Sequence, residues 1–172
     1  MRPCIEFVKK RFQGEDVIGA EIGVYRGDNA FNILTNLSNV SLLFLIDPYE
    51  RYEGWKDSIR KMIEGARKIA EDRLAPFSER VKWVYKKAED CLEDILAPLA
   101  FIYIDGNHSY KFVKKDIEVA MKLVRSGGVI GGHDYNKGGV RRAVNEFCNR
   151  NNIQLHLKLE RKKHSDWWFI KP

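Results

Sequence analysis

Five short apolar runs recur along the 172 residues: Val17 to Ile22, Ser41 to Ile46, Val81 to Tyr85, Ala100 to Ile104 and Gly128 to Gly131. Each lacks the in-out alternation of a half-wet strand. Runs of that kind are the mark of strands buried on both faces, which occur in parallel sheets covered by helices on either side. The intervening segments carry helical period. Trp55, Ile59, Met62, Ile63, Ala66 and Ile69 share one predicted helix face, and Val113, Ile117, Ala120, Met121 and Val124 share another. Ala30, Phe31, Leu34 and Leu37 mark a helix after the first strand, and Val140, Ala143, Val144, Phe147 and Cys148 mark one after Gly138 and Gly139. The texture then changes: Ile153, Leu155, Leu157 and Leu159 alternate with Gln154, His156 and Lys158, and a last strand is predicted over Asp166 to Ile170. The expectation is one domain over residues 1–172. It is an α/β fold with a doubly wound seven-stranded sheet, mostly parallel, closed by a C-terminal antiparallel hairpin. Any ligand crevice belongs at the carboxyl ends of the parallel strands.

The longest apolar runs, Val40 to Ile46 and Leu99 to Ile104, fall far short of the roughly 20 residues that cross a bilayer, so no membrane span is expected. Met1 to Phe12 mixes Arg2, Lys9, Lys10 and Arg11 with a few apolar residues and reads as a capping helix, not a signal segment. Cys4, Cys91 and Cys148 are widely spaced and include no C-x-x-C pair; this points away from a disulfide framework or a zinc site and toward a cytoplasmic location. The net charge of +6 comes largely in short pairs, Lys86-Lys87, Lys114-Lys115 and Arg141-Arg142, with a run from Arg161 to Lys163. Solvated helix faces account for such pairs, and a nucleic-acid partner is the alternative.

Function enters with the first turn, Glu21-Ile22-Gly23-Val24-Tyr25-Arg26-Gly27-Asp28. Glycine lets backbone amides approach a ligand, and the helix that follows favours anionic groups at its start. A dinucleotide-binding G-x-G-x-x-G turn would require glycine at 21, 23 and 26, where this chain has Glu21, Gly23 and Arg26. A carboxylate at the first position repels a pyrophosphate and attracts an ammonium, so the turn suits a zwitterionic cofactor; a turn that merely redirects the chain is the plainer reading. Asp47 ends the second strand, at the place where nucleoside-binding sheets put a carboxylate for ribose hydroxyls. It also precedes Pro48, and Asp-Pro commonly opens a turn.

Two further runs, Ile104-Asp105-Gly106-Asn107-His108-Ser109-Tyr110 and Gly127-Gly128-Val129-Ile130-Gly131-Gly132-His133-Asp134-Tyr135, complete a pattern with Glu21-x-Gly23-x-x-x-Gly27 and Asp47. Together they resemble the class I S-adenosylmethionine-dependent methyltransferases, which have a Rossmann-like fold, and among them the small macrocin-type and catechol-type O-methyltransferases. The resemblance spans nearly the whole chain. It implies that Glu21 holds the methionine ammonium, that the backbone of Gly23, Tyr25 and Gly27 lies against the cofactor, and that Asp47 grips the ribose. It places adenine near Ala88 and Glu89, with Asp105 at the reacting end.

The chemistry is expected where the fourth and fifth strands end. Asp105 and His108 follow one and His133 and Asp134 the other, and neighbouring strand tips lie about 5 Å apart. Asp105, His108 and His133 are the candidate catalytic residues, with either imidazole as general base and His133 favoured for abutting Asp134. Asp105 and Asp134 are hard oxygen ligands suited to Mg²⁺ or another divalent cation. Catechol-type relatives place an aspartate-asparagine pair after strand five, whereas here Tyr135 follows Asp134 and asparagine comes one place later, at Asn136. The implied reaction is O-methylation of a small-molecule hydroxyl on a sugar, phenol or natural product. A nucleic-acid methyltransferase and a NAD-dependent oxidoreductase are the rivals. His156 and His164 are expected in solvent. Trp167, Trp168 and Phe169 offer either a homodimer patch or, for two of the three, core. The segments from Tyr49 to Trp55 and Asn136 to Gly138 are the candidate lids.

Overall fold

The computed structural model describes residues 1–50, 57–160 and 164–172. Helix α1 (Pro3–Arg11) precedes β1 (Val17–Ile22), α2 (Asp28–Asn36), β2 (Val40–Ile46), α3 (Asp57–Leu74) and β3 (Val81–Val84). After two short 3-10 turns, Ala88–Asp90 and Leu92–Asp94, come β4 (Leu99–Ile104), α4 (Tyr110–Leu123), β5 (Val124–Gly132), α5 (Gly138–Arg150), β6 (His156–Glu160) and β7 (His164–Ile170).

The strands form one sheet in the order β3-β2-β1-β4-β5-β7-β6, with β1 to β5 parallel and β7 antiparallel to both β5 and β6. The expected mostly parallel seven-stranded sheet with an antiparallel C-terminal hairpin is what forms. The chain runs outward through β2 and β3, then returns to the other side of β1 for β4 and β5. Its direction therefore reverses between β1 and β4, where a doubly wound sheet opens a crevice. Register pairs Glu21 with Leu45 on one side and Tyr103 on the other, so β1, β2 and β4 end level and their following loops meet.

Every residue of β4 is buried, and its side chains divide by strand alternation. Ile102 and Ile104 join the core under α4 and α5 with Ile117, Val144, Trp167 and Phe169. Phe101 and Tyr103 join the core under α1, α2 and α3 with Ile5, Ile33, Leu43 and Ala70. Helix α1 lies close on the sheet because Gly131 leaves room: a Cβ there would stand 2.4 Å from the Cys4 sulfur.

Several local expectations need correction, and one alternative is decided. Val124 is extended and opens β5 opposite Leu99 instead of ending α4; only its N–H still serves the helix, donating to Ala120 O. On α3 the buried stripe is Ala66, Ala70 and Leu74, and Met62 and Ile69 are exposed, because small residues let this helix approach α2 closely. Trp55 lies outside the described residues. On α2 it is Ile33 that is buried, and Phe31 sits half in solvent against the edge of Phe77, 5.7 Å between ring centres. His156 is not on a wet face: β6 begins at that residue, opposite Trp168, and the two rings stack at 5.7 Å with Phe7 beyond, which leaves Leu157 outermost. Trp167 and Phe169 are core, so the hairpin presents no three-residue aromatic patch. His164 opens β7 instead of lying in a turn. Among the described residues no helix is long and apolar enough to cross a membrane.

Candidate active site

The loops after β1, β2 and β4 and the 3-10 turn at Ala88 enclose a cavity of about 410 Å3. Its floor is set by Gly23, whose φ of +85° takes the chain out of β1; a Cβ there would lie 2.5 Å from the Asp105 carbonyl oxygen, so only glycine lets these two loops touch. Glu21, the penultimate residue of β1, is fully buried. Its Oε1 accepts a hydrogen bond from Asn29 Nδ2 at 3.0 Å, and Oε2 has no partner among the described residues. Burial pushes this carboxyl up to about 8, against the Asn29 bond and with a contribution from the charge of Asp105. An orphaned acceptor on a buried acid is costly unless a cation arrives. Asp47 is held differently: Oδ2 accepts from the backbone N–H of Val24 (2.9 Å) and Tyr25 (3.0 Å), and Oδ1 from Tyr49 N (2.8 Å). Burial still raises it above the usual carboxylate range, against those three bonds. It thus opens a turn and also ties the β1 loop, with Tyr25 at a φ of +50°, to the tip of β2.

At the other end of the cavity four chemistry-bearing side chains meet. His108 Nε2 lies 3.0 Å from Asp134 Oδ2 and 3.6 Å from Asp105 Oδ1. His133 Nδ1 lies 3.3 Å from Asp134 Oδ1 and 3.8 Å from Asp105 Oδ1. Asp134 holds this position in the left-handed region, φ +57°, uncommon for a residue other than glycine. The His108 imidazole is raised, chiefly by its interaction with Asp105, against burial and with the added field of the nearer Asp134. His133 is lowered, because burial and the Arg2 charge outweigh the pull of Asp105, Asp134 and Asp166. Donor atoms of Asp105, His108 and Asp134 all lie within 4.8 Å of one another, close enough for a single metal ion to bridge.

Glu21, Gly23, Tyr25, Asp47, Ala88, Asp105 and His108 line the cavity; Gly27, Glu89, His133 and Asp134 do not. Gly27 precedes α2 with a φ of +76° and faces Ala70 and Leu74. Glu89 turns outward to pair with Lys115. His133 and Asp134 stand behind His108, and the His133 carbonyl is fixed by Trp167 Nε1 at 3.2 Å. Of the candidate lids, residues 51–56 fall outside the described residues, and Asn136 is tied to β7 by Ser165 Oγ, which donates to its Oδ1 at 2.9 Å.

Among the cavity residues that sequence reasoning did not single out, three bear on the chemistry. Arg2 reaches in from the start of α1, its Nη2 donating to Asp105 Oδ2 at 3.2 Å; nothing local to residue 2 signals this. Asn29 stands in the first turn of α2, eight positions after the acid it serves. Asp116 is a buried acid on the core-facing side of α4, between Val113 and Ala120, and that interruption of an apolar stripe was visible in the sequence.

A doubly wound sheet with an acid-and-glycine first turn, a second-strand carboxylate and an Asp-His cluster beyond it is the architecture of a class I methyltransferase. The profile of the methyltransferase-domain family matches residues 20–135, and the chain belongs to that family. No curated protein sequence matches. Among solved structures, an rRNA methylase from Streptococcus thermophilus superposes with a TM-score of 0.69 at 13% identity, covering 97% of this chain and 93% of that one. The O-methyltransferase TomG of Streptomyces achromogenes, involved in tomaymycin synthesis and solved with S-adenosylmethionine, gives 0.69 at 18%, covering 98% and 78%. An O-methyltransferase from Bacillus cereus, solved with S-adenosylhomocysteine, gives 0.68 at 21%, covering 99% and 82%. At these identities the likeness is one of fold, and its members differ in acceptor.

Proposed function

We propose that this enzyme transfers a methyl group from S-adenosylmethionine to a hydroxyl of a small acceptor, with His108 as the proton acceptor. The observation that carries the cofactor half is the unpartnered Oε2 of buried Glu21, beside a glycine turn in a cavity large enough for a nucleoside-sized ligand. When bound, the sulfonium supplies an electrophilic methyl group. Glu21 takes the ammonium of its amino-acid tail, the Gly23 to Tyr25 backbone seats that tail, and Asp47, already fixed by three N–H groups, offers its remaining lone pairs to the ribose.

His108 faces the cavity, whereas His133 is recessed behind it, so geometry favours His108 as the group that meets an acceptor hydroxyl. Asp105 and Asp134 flank its imidazole and stabilise the imidazolium formed when the proton arrives. Arg2 balances part of the negative charge of this pair. Most of the rate is expected from positioning, with the base adding on the order of 10²-fold or more.

A second reading is supported by the donor set itself. Asp105, His108 and Asp134 would hold a divalent cation, Mg²⁺ or a softer ion that accepts imidazole, and such an ion would lower the pKa of a chelated hydroxyl. The basic pairs favour a small acceptor over nucleic acid: Lys115 is engaged by Glu89, and Arg142 lies over the Tyr110 ring at 4.3 Å.

Calorimetric titration with S-adenosylmethionine and NAD in parallel, with and without Mg²⁺, tests the cofactor assignment. Binding of the sulfonium compound alone is expected, and preference for NAD would overturn it. A screen of sugar and phenol acceptors, run with and without chelator, then decides between the base and metal readings.

A further inference from the structure

The Glu21 and Asp47 reading accounts for the amino-acid and ribose parts of the ligand and leaves the base unread. Glu89 is badly placed for it, since its carboxylate points outward to Lys115. The cavity wall beside Ala88 holds a different acid. Asp116 projects from the middle of α4, which packs on the 3-10 turn carrying Ala88, and its side chain lines the cavity. Only 8% of the residue is exposed, and it makes no hydrogen bond among the described residues. It cannot cap a helix end, being six residues inside one, and Lys115 beside it is committed to Glu89. Gly106 lies opposite: a Cβ built there would stand 3.7 Å from both Asp116 Oδ2 and Ile22 Cγ2, so the missing side chain leaves the space between the carboxyl and the β1 tip open as a slot.

We propose that Asp116 reads the base of the bound cofactor, accepting a hydrogen bond from the exocyclic amine of adenine in the slot formed by Ile22, Ala88 and Gly106. The inference rests on the S-adenosylmethionine reading above. A flat aromatic base fills the apolar slot, and its amine satisfies an acid that otherwise has only water to turn to. Burial, with the nearby Glu89 charge, pushes the Asp116 carboxyl up to about 7. Both of its forms suit adenine, because the neutral acid accepts from the amine and donates to the adjacent ring nitrogen. A purine without the amine leaves the carboxyl oxygen without that donor, in either form of the acid, and binds more weakly.

The test uses the full chain and three ligands in calorimetry: S-adenosylhomocysteine, its counterpart with unsubstituted purine in place of adenine, and S-ribosylhomocysteine, which has no base. The wild-type protein is expected to prefer the adenine ligand to the purine one by about 10-fold. Asp116→Ala is expected to lower affinity for S-adenosylhomocysteine roughly 10- to 100-fold and leave S-ribosylhomocysteine within about twofold, which also shows that the variant is folded. Asp116→Ala is also expected to reduce the adenine preference to less than about threefold, whereas the isosteric Asp116→Asn, whose amide can still accept from the amine and donate to the ring nitrogen, keeps most of it. Unchanged adenine preference in Asp116→Ala, or equal losses for the ligands with and without a base, overturns the proposal. Failure of the wild-type protein to bind either S-adenosylhomocysteine or S-ribosylhomocysteine overturns the cofactor reading itself.

Discussion

Replacing Glu21 by glutamine should make the ligand-free protein more stable and a poorer binder at once. The buried carboxyl is pushed from its ordinary 4.5 up to about 8. The folded state therefore holds a proton that the unfolded chain has released, and stability falls as pH rises from about 4.5 to about 8. At pH 7.5 the linkage relation puts the penalty at roughly 4 kcal/mol. Glutamine keeps the shape and can still accept from Asn29, but its amide must also be desolvated, so a net gain of roughly 1–3 kcal/mol is expected. In a chain of 172 residues this corresponds to a rise in Tm of about 3–10 °C. The assay is urea unfolding of both proteins from pH 4.5 to 8.5. The variant should be the less stable protein by roughly 1–2 kcal/mol at the acid end, overtake the wild type as pH rises, and level off above pH 8; Asp116 and other carboxyls titrate in both proteins and cancel. Affinity for S-adenosylhomocysteine should fall about 10- to 100-fold in the variant. A stability difference that does not change with pH, or a variant less stable at pH 8, refutes the reasoning.

Four further outcomes follow from the geometry. Gly23→Ala places a methyl group 2.5 Å from the Asp105 carbonyl oxygen at a φ of +85°, and a loss of at least about 2 kcal/mol in urea unfolding together with loss of S-adenosylhomocysteine binding is expected. His108→Gln should lower kcat by on the order of 10²-fold or more with cofactor affinity unchanged, and Asp134→Asn should move the acidic limb of the kcat/KM profile to lower pH, because one of the charges that raise His108 is gone. Asp166→Ala removes the acceptor for Cys4 N (3.0 Å) and the Tyr103 hydroxyl (3.1 Å) from a fully buried site, and an unfolding free energy lower by roughly 2–4 kcal/mol is expected.

Much of this architecture is legible in the sequence because burial on both faces leaves a strand no choice of composition. Val17 to Ile22 and Leu99 to Ile104 read as central strands and are central. Residues at the ends of such strands or up to four positions beyond, Glu21 through Tyr25, Asp47, Asp105 and His108, are legible because strand ends dictate where loops converge. What could not be read depends on packing between remote elements. Arg2 meets Asp105 only because α1 settles on β5 and β7. The outward turn of Glu89 depends on Lys115, 26 residues later. His156 changed face because strand alternation starts from where pairing begins, at Trp168, and not from where leucines begin to alternate. Asp116 is the instructive omission, since a charge on a helix face otherwise committed to core is a signal in itself.

The anchoring of α1 sets an order of events in the cell. Its main docking partners, the Asp166 carboxylate that takes the Cys4 amide and the β7 strand that carries it, lie about 160 positions downstream. A ribosome releases the helix long before it releases that strand, so the helix must wait undocked with its apolar face open. Until then the guanidinium that neutralises Asp105 is missing, and a nascent chain with its first five strands already paired still lacks a finished reaction centre.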